Sequence, residues 1–391
     1  MTGIKKILFI IPYSKKDTKN HLFNKLQSQI NGAKDAGFEV YYTEYDEKNL
    51  YINTDNGRVL VCKNVDTDRN IKIYNSIFKS IKKILAICDV DTIYIRRIAA
   101  IPSYLYALKY AKKNGIKVLV ELPTYPYKKE RRESKRKIFY SVVELLDITI
   151  GRLAEKYIDL CPVMGEKTEK VGNVPAINID NGVDTRLYPI TSKKIGKEIT
   201  FISVASFCYW HGLDRMIEGM HIYYQNIQNN GTLNTPIYLK VVGNSRDGTI
   251  DKLMELVKQY KLEKFVYFYG FKSGVELDEL FDKSDISIAS LGLHRKGLHT
   301  SSTLKVREYC ARGIPVVYAG DDPCLDKHPE LFFKLPEDEN PVDINSLIMY
   351  ANEKIRGKEE YYHEAVRKIT TEEMSWKKQF MVINEKLRDM G

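Results

Sequence analysis

Glu198-Ile-Thr-Phe-Ile-Ser-Val-Ala205, Gly212-Leu-Asp-Arg-Met-Ile-Glu-Gly-Met-His-Ile-Tyr-Tyr-Gln225 and Ile237-Tyr-Leu-Lys-Val-Val242 follow one another along the chain. The first and third are apolar runs of strand length, and the third stops at Gly243. The second is an amphipathic helical pattern. Strand, helix, strand at this spacing predicts a βαβ unit, because parallel neighbours need a crossover long enough to hold a helix.

The same alternation extends in both directions. Downstream it predicts a helix over Ile250–Tyr260, a strand over Phe265–Tyr269, a helix near Glu276–Lys283 and a strand over Ile286–Ser290. A helix over Leu304–Arg312, broken by Gly313-Ile-Pro315, then leads to a short strand at Val316–Ala319. Upstream, strands are expected at Ile4–Ile11, Glu39–Tyr45, Thr92–Ile95 and Lys117–Leu122, with helices at Leu22–Ala36 and Ser103–Lys113. The turn-rich stretch from Asn181 to Lys197 separates the halves. The fold class read here is α/β: two doubly wound Rossmann-like domains with an interdomain cleft, and ligands beyond the carboxyl ends of the strands. The boundaries fall at 1–190, 191–370 and 371–391, the last a helix expected to pack back on the first domain.

A chain of 391 residues is long enough for two such domains. No apolar window reaches the ~18–20 residues of a membrane-spanning helix. The apolar run ending at Pro12 is too short for a signal peptide, which predicts a mature cytoplasmic start. Six scattered cysteines contain no C-x-x-C pair, so buried thiols are expected instead of a zinc site or a disulfide framework. The net charge of +10 is uneven: residues 1–190 carry +11 and residues 191–391 carry −1. The first half is therefore expected to meet something anionic.

No G-x-G-x-x-G follows the first strand and no Walker lysine loop is present, which disfavours nicotinamide and P-loop enzymes. Asp66-Thr-Asp68 and Asp89-Val-Asp91 have the acidic spacing of metal-dependent sugar-nucleotide sites. Their positions, in a loop and on the amino side of a strand, make them turn and cap residues, so no metal is expected. The informative stretch is His299-Thr-Ser-Ser-Thr-Leu-Lys-Val-Arg-Glu-Tyr-Cys-Ala-Arg-Gly-Ile-Pro-Val-Val317. Ser301, Ser302 and Thr303 precede a helix opened by Leu304, whose early turns carry Lys305 and Arg307. Hydroxyls and cations around a helix N-terminus make a phosphate site, and Glu308, one turn on, is placed to accept hydrogen bonds from a ribose. An ordinary capped helix with solvated charges explains the same residues equally well.

Three landmarks resemble the retaining, GT-B-fold glycosyltransferases of family 4. Asn181-Gly-Val-Asp184 with Pro189 is similar to the family's N-G-V-D…P segment. Val204-Ala-Ser-Phe-Cys-Tyr-Trp-His-Gly-Leu-Asp-Arg215 falls on its G-R-L…K-G-x-D pattern, and Glu308-Tyr-Cys-Ala-Arg-Gly-Ile-Pro-Val316 on E-A-x-A-x-G-x-P-V. The resemblance implies donor contacts at Ser206, His211 and Gly212, where the family's diphosphate-binding arginine and lysine are replaced. It puts Thr300 at the first glutamate of E-x7-E, as a catalytic position with Lys305 and Glu308. It also sets Asn244, Tyr269 and Phe271 beside the nucleotide base, although core aromatics are an equal reading for the two rings. Lys305, with Arg295 or Lys296, is expected to replace the missing phosphate cations, and Trp210 is read as packing.

In the first domain, the loop after Lys117–Leu122 points toward the expected cleft. Where the family often has a histidine, this chain offers Glu121, Thr124 and Tyr125 for an acceptor. From Lys128 to Lys137 seven basic residues face two acidic ones, and Lys128, Lys129, Arg131 and Arg132 are candidates for an anionic membrane or lipid-diphosphate contact.

The expected function is transfer of a hexosyl unit, with retention, from a nucleotide diphosphate sugar to a hydroxyl of a glycan or lipid-linked acceptor. A UDP-sugar is favoured over a GDP-sugar, no cofactor or metal is expected, and nucleic acid is not an expected partner. The protein is expected in the cytoplasm, peripheral to the inner face of the membrane. A non-catalytic GT-B subunit that binds sugar nucleotide or a partner is the rival reading.

Overall fold

The computed structural model describes residues 5–14, 21–66, 69–126, 143–230, 235–300 and 302–390. The chain divides into two compact units, Met1–Gly182 with Ser375–Gly391, and Val183–Met374. The turn-rich stretch expected to link the halves lies in the second unit. There the Val183 N–H bonds the Met374 carbonyl at 2.9 Å, and the Thr191 N–H bonds that of Arg312 at 2.8 Å.

The first unit is built on β1 (Lys6–Tyr13), β2 (Glu39–Asp46), β3 (Asn49–Thr54), β4 (Gly57–Cys62), β5 (Thr92–Arg96), β6 (Lys117–Tyr125), β7 (Cys161–Gly165), β8 (Lys170–Val171) and β9 (Val174–Asn178). They form one sheet in the order β4-β3-β2-β1-β5-β6-β7-β9-β8. The six central strands β2-β1-β5-β6-β7-β9 pair in parallel, and the hairpin β3–β4 and the short β8 pair antiparallel at the edges. Ile7–Ile10 and Ile93–Ile95 are fully buried, as continuous apolar runs in a doubly covered parallel sheet should be. β1 continues through Pro12 instead of stopping before it. Its register on β2 shifts between Phe9 and Tyr13, so the imide nitrogen sits where the ladder is already irregular.

The helices Asn70–Lys79 and Pro102–Lys113 bury Ile73, Ile77, Phe78, Tyr104 and Leu108 on one side of this sheet. The other side is covered by the helix His21–Asp35 and the last helix, Trp376–Asp389. The closing segment, Tyr361–Met390, reads from the sequence as helical, with Ser375-Trp376 just before the final helix; the structure has two helices there, separated at Met374-Ser375. Ser375 caps the last helix by accepting the Lys378 N–H, and the preceding helix, Glu359–Glu373, belongs to the second unit. Trp376 is 1% exposed and lies between two glycines: a Cβ on Gly32 would sit 2.3 Å from the Trp376 Cβ, and one on Gly182 would sit 2.6 Å from its amide nitrogen.

The second unit is an all-parallel sheet of β10 (Ile199–Val204), β11 (Ile237–Val242), β12 (Val266–Phe268), β13 (Ile286–Ile288), β14 (Val316–Ala319) and β15 (Phe333–Leu335), in the order β12-β11-β10-β13-β14-β15. The crossovers are the helices Leu213–Asn230, Thr249–Gln259, Val275–Asp282 and Leu304–Ala311. Chain order reverses between β10 and β13, so the switch point of the sheet lies there.

Gly32→Ala tests the Trp376 seat. Overpacking against backbone should cost about 1–3 kcal/mol and outweigh the helix-propensity gain of ~1 kcal/mol. The urea midpoint should fall at constant m, whereas Gly196→Ala, with no neighbour within 4 Å, should leave it nearly unchanged.

Candidate functional site

At the carboxyl edge of the second sheet, the loops after β10 and β13 flank the switch point and touch. The Leu291 N–H bonds the His211 carbonyl at 2.9 Å. Gly212 has φ +64°, and a Cβ there would lie 2.6 Å from the Gly292 nitrogen, so this position must be a glycine. The loops after β10 and β11 are laced in the same way: the Phe207 N–H bonds the Asn244 carbonyl at 2.8 Å. The helix Leu304–Ala311 is fastened under β10 through Tyr309, whose hydroxyl accepts the Val204 N–H at 2.8 Å and donates to the Val204 carbonyl at 3.1 Å.

This fastening fixes the start of the helix. Thr303 precedes it, and the first turn carries no acidic residue. The Thr303 Oγ1 and the Lys305 Nζ are both buried and have no hydrogen-bond partner among the described residues. Orphaned buried polar groups cost stability and call for an explanation. A hydroxyl and an amine at a helix N-terminus are what an anion would satisfy. Burial alone lowers the Lys305 pKa to about 7. His211, itself largely buried, is lowered to about 3, first by desolvation and then by the positive charge of Lys305. Its Nδ1 lies 3.0 Å from the Cys208 N–H and 3.1 Å from the Cys208 carbonyl, and the lowered pKa keeps the ring neutral.

The other basic residues are committed elsewhere. Arg307, read from sequence as a phosphate-side cation, points inward and forks onto Asp322 with two 3.0 Å bonds, with a third to the Ser302 hydroxyl at 2.8 Å. Arg295 is clamped by Asp214 at 2.9 and 2.8 Å and by Glu339 at 2.6 Å, so its charge is spent and it does not replace the family cation. Lys296 lies 3.9 Å from the Trp210 ring centre and lowers the His211 pKa, which leaves it near the site without a carboxylate partner among the described residues. Trp210, read as packing, is the platform under that cation; sequence spacing gives no sign of this.

Glu308 is oriented by Arg312 at 3.1 Å through one oxygen, and its Oε2 has no partner among the described residues. Ser206, Thr300, Leu304 and Asn244 are exposed, and Thr300 bridges to Asp321 through the backbone. Tyr269 and Phe271, for which core packing was an equal reading, are 36% and 48% exposed just beyond β12. Ser301 lies outside the described residues. Among the described residues no three His, Cys, Asp or Glu side chains group as a metal site would need.

In the first unit Glu121 is a correction. It is completely buried and holds Lys25 at 3.3 Å, Gln29 at 2.5 Å, the Tyr94 hydroxyl at 2.8 Å and Arg96 at 3.3 Å, so no acceptor reaches it. Thr124 is on β6 and its side chain lies outside the description; Tyr125 is half-buried at the strand's end. A cavity of about 390 Å³ there is lined by Arg97, Ile98, Tyr104, Tyr125, Pro126 and Ile148, among others. Lys128, Lys129, Arg131 and Arg132 lie outside the described residues.

Comparison with known proteins places this geometry. Residues 186–325 match the family described as Glycosyl transferases group 1. No curated protein sequence matches the chain significantly. Among solved structures, the chain is similar to sucrose-phosphate synthase from Thermosynechococcus elongatus, with a TM-score of 0.60, 12% identity and 99% of each chain covered. It is also similar to the catalytic domain of starch synthase IV from Arabidopsis thaliana bound to ADP and acarbose, with a TM-score of 0.59, 10% identity and coverage of 98% of this chain and 99% of that one. Anabaena HepE in complex with UDP gives a TM-score of 0.56 and 12% identity over 98% of this chain and 99% of that one. The two units are the Rossmann-like pair of the GT-B glycosyltransferase fold, and residues 186–325 carry its group 1 domain.

Lys305→Met tests the buried amine without any ligand. The folded-state pKa lies below the unfolded value, so the wild-type penalty is full below about pH 7 and fades as the pH rises toward 10.5. The variant should melt above the wild type at pH 6.5, and the gap should close by pH 10. A gap that does not change with pH would show that Lys305 is not an unpaired buried amine.

Proposed function

We propose that the protein is a retaining, metal-independent glycosyltransferase that moves a hexosyl unit from a nucleotide diphosphate sugar, a UDP-sugar before a GDP-sugar, to a hydroxyl acceptor. The observation that carries this reading is the orphaned pair Thr303 Oγ1 and Lys305 Nζ at a helix N-terminus beside the switch point, inside the group 1 domain. As the glycosidic bond breaks, negative charge grows on the leaving diphosphate. A preorganised amine, a hydroxyl and the helix N-terminus stabilise that charge without reorganising at the moment of reaction. His211 adds a neutral imidazole, and Lys296 is the second cation within reach of this edge. Glu308, held by Arg312, has Oε2 left for the ribose hydroxyls. The exposed rings of Tyr269 and Phe271, with Asn244, offer the base a surface. That HepE is solved with UDP and with UDP-glucose supports the donor class.

We place the acceptor on the first unit, as a glycan or lipid-linked saccharide, with the protein peripheral to the inner, anionic face of a membrane. Leu145, Ile148 and Leu153 are exposed between Val143 and Glu155, Ile148 lines the cavity described above, and Arg152 is exposed beside them. The seven basic residues of 128–137 immediately precede this segment in sequence. An apolar face next to a basic run is the pairing that holds peripheral proteins on anionic lipid. No helix among the described residues is long and apolar enough to cross a membrane. Changing Leu145, Ile148 and Leu153 together to serine should reduce co-sedimentation with phosphatidylglycerol vesicles at unchanged melting temperature; equal sedimentation would remove the lipid contact.

The second reading, a non-catalytic sugar-nucleotide-binding subunit, is favoured by Ser206, His211 and Thr300, which supply no charge where the family places arginine, lysine and glutamate. Melting-temperature shifts with UDP, GDP, ADP and their sugar conjugates, with and without magnesium, identify the donor by mass action. Turnover should then be sought with lipid-linked saccharides. Lys305→Met should lower it by about 10²–10³-fold in a folded protein, the usual size for loss of one charge-stabilising donor. Donor binding without turnover on any acceptor would favour the second reading.

A further inference from the structure

We propose that a nucleotide diphosphate sugar binds to this protein together with one proton, which is taken from solvent and held on the Lys305 Nζ. The inference rests on the donor reading of the same site and adds to it how the site's charge is made.

The geometry leaves the amine nothing to neutralise it before the donor arrives. Among the described residues Nζ is buried without a hydrogen-bond partner, as is the Thr303 hydroxyl two residues earlier. On its own helix, Arg307 is occupied with Asp322 and Glu308 with Arg312. From the loop after β10 it faces His211, which is neutral. From the loop after β13 comes Lys296, a second cation, while Arg295 there is held by Asp214 and Glu339. From the loop after β11, Asp247 is turned to the Thr249 N–H at 3.1 Å and bears weakly on His211. Beyond β14, Asp321 is taken by Lys334. Among the described residues, the groups these elements bring are neutral, cationic or carboxylates already paired, Glu308 through one oxygen only.

An ammonium in such a place is costly to keep charged, and burial brings its pKa to about 7. A diphosphate diester supplies two negative charges and does not titrate between pH 5 and 9, so it neither brings nor releases a proton. Docked on the helix N-terminus, it restores the ordinary preference of the amine for its charged form. The balance is Lys305-NH2 plus one proton from buffer plus the diphosphate, giving the ammonium–diphosphate pair. Above about pH 7 donor affinity must then fall by up to about tenfold per pH unit. Below that, the amine is already charged and the linkage disappears.

Calorimetric titration with UDP-glucose, GDP-glucose and ADP-glucose at pH 6, 7, 8 and 9, in pairs of buffers with different ionisation heats, counts the protons. Uptake should be small at pH 6 and approach one by pH 8, and Kd should weaken by about tenfold between pH 8 and 9. His211→Gln should keep that uptake. Lys305→Arg, whose guanidinium does not titrate, should bind without uptake and with a Kd independent of pH. Binding with constant Kd and no uptake in the wild type overturns the proposal and leaves the donor reading standing. Uptake that persists in Lys305→Arg, or that vanishes in His211→Gln, assigns the proton to another group and also overturns it. If none of the three nucleotides binds at any pH, the donor reading falls and takes the proposal with it.

Discussion

Arg307 is 1% exposed, and its guanidinium is gripped by both oxygens of Asp322 and by the Ser302 hydroxyl. Breaking a buried pair of this kind strands a charge and costs about 3–5 kcal/mol, so the start of the helix Leu304–Ala311 is not free to rotate. Tyr309, two residues on, ties the same helix to both backbone groups of Val204. Lys305 lies two residues before the first of these anchors, and its Nζ has no hydrogen-bond partner among the described residues. The loops after β10 and β13 come close enough for Gly212 to touch Gly292, and they close over it from the other side. The second unit is thus organised so that one cation cannot be satisfied from within.

The first unit uses its buried charges in the opposite way. Lys25 is buried, as is the Lys305 Nζ, and its pKa is lowered to about 8, yet it has Glu121 at 3.3 Å and lies over the Trp376 ring. Glu121 in turn is held below the usual carboxylate range: burial alone would raise it, and Lys25, Arg96, Tyr94 and Gln29 together prevail. This cluster joins the helix His21–Asp35 to the sheet and to the helix Trp376–Asp389, which returns from the far end of the sequence. Its charges offset one another internally. The contrast separates a cluster that stabilises a fold from a cation held without a partner.

Much of this was legible in the sequence, and the failures have physical causes. The central parallel strands announce themselves because burial on both faces demands continuous apolar runs, as at Ile7–Ile11 and Ile199–Ala205. The hairpin β3–β4 escaped the reading although Asn56-Gly57 marks its turn, because Val59 and Leu60 are exposed and no core face imposes alternation there. The edge strands β8 and β15 hold two and three residues, too few for any period. The start of the final helix is legible in Ser375-Trp376, a helix-start signal, although the boundary expected at 371 falls a few residues early. At the site, the hydroxyl run and Lys305 were readable because they are local. The partners of Arg295 and Arg307 were not, since Asp214, Glu339 and Asp322 are brought to them by the fold. Glu121 misled because a position near the carboxyl end of a strand says nothing of which face its side chain takes, and this one points under the helix His21–Asp35.

A sequence selected for stability alone has no reason to keep a lysine at 305. A methionine would fill the same space without an orphaned nitrogen, and Thr303 could give way to a side chain that caps the helix it precedes. Both residues retain a defect of the same kind at the same helix end, next to the point where the strand order of the sheet reverses. A buried amine and a buried hydroxyl left unsatisfied near one helix end are what the ligand proposed above would explain. That ligand must be anionic, because it has to charge an amine and accept from a hydroxyl, and it must extend beyond the helix end toward the rings after β12 if Tyr269 and Phe271 are to be covered. A diphosphate joined to a nucleoside meets both conditions. A free phosphate would meet only the first, which is why the donor reading proposed above takes a nucleotide and not the anion alone.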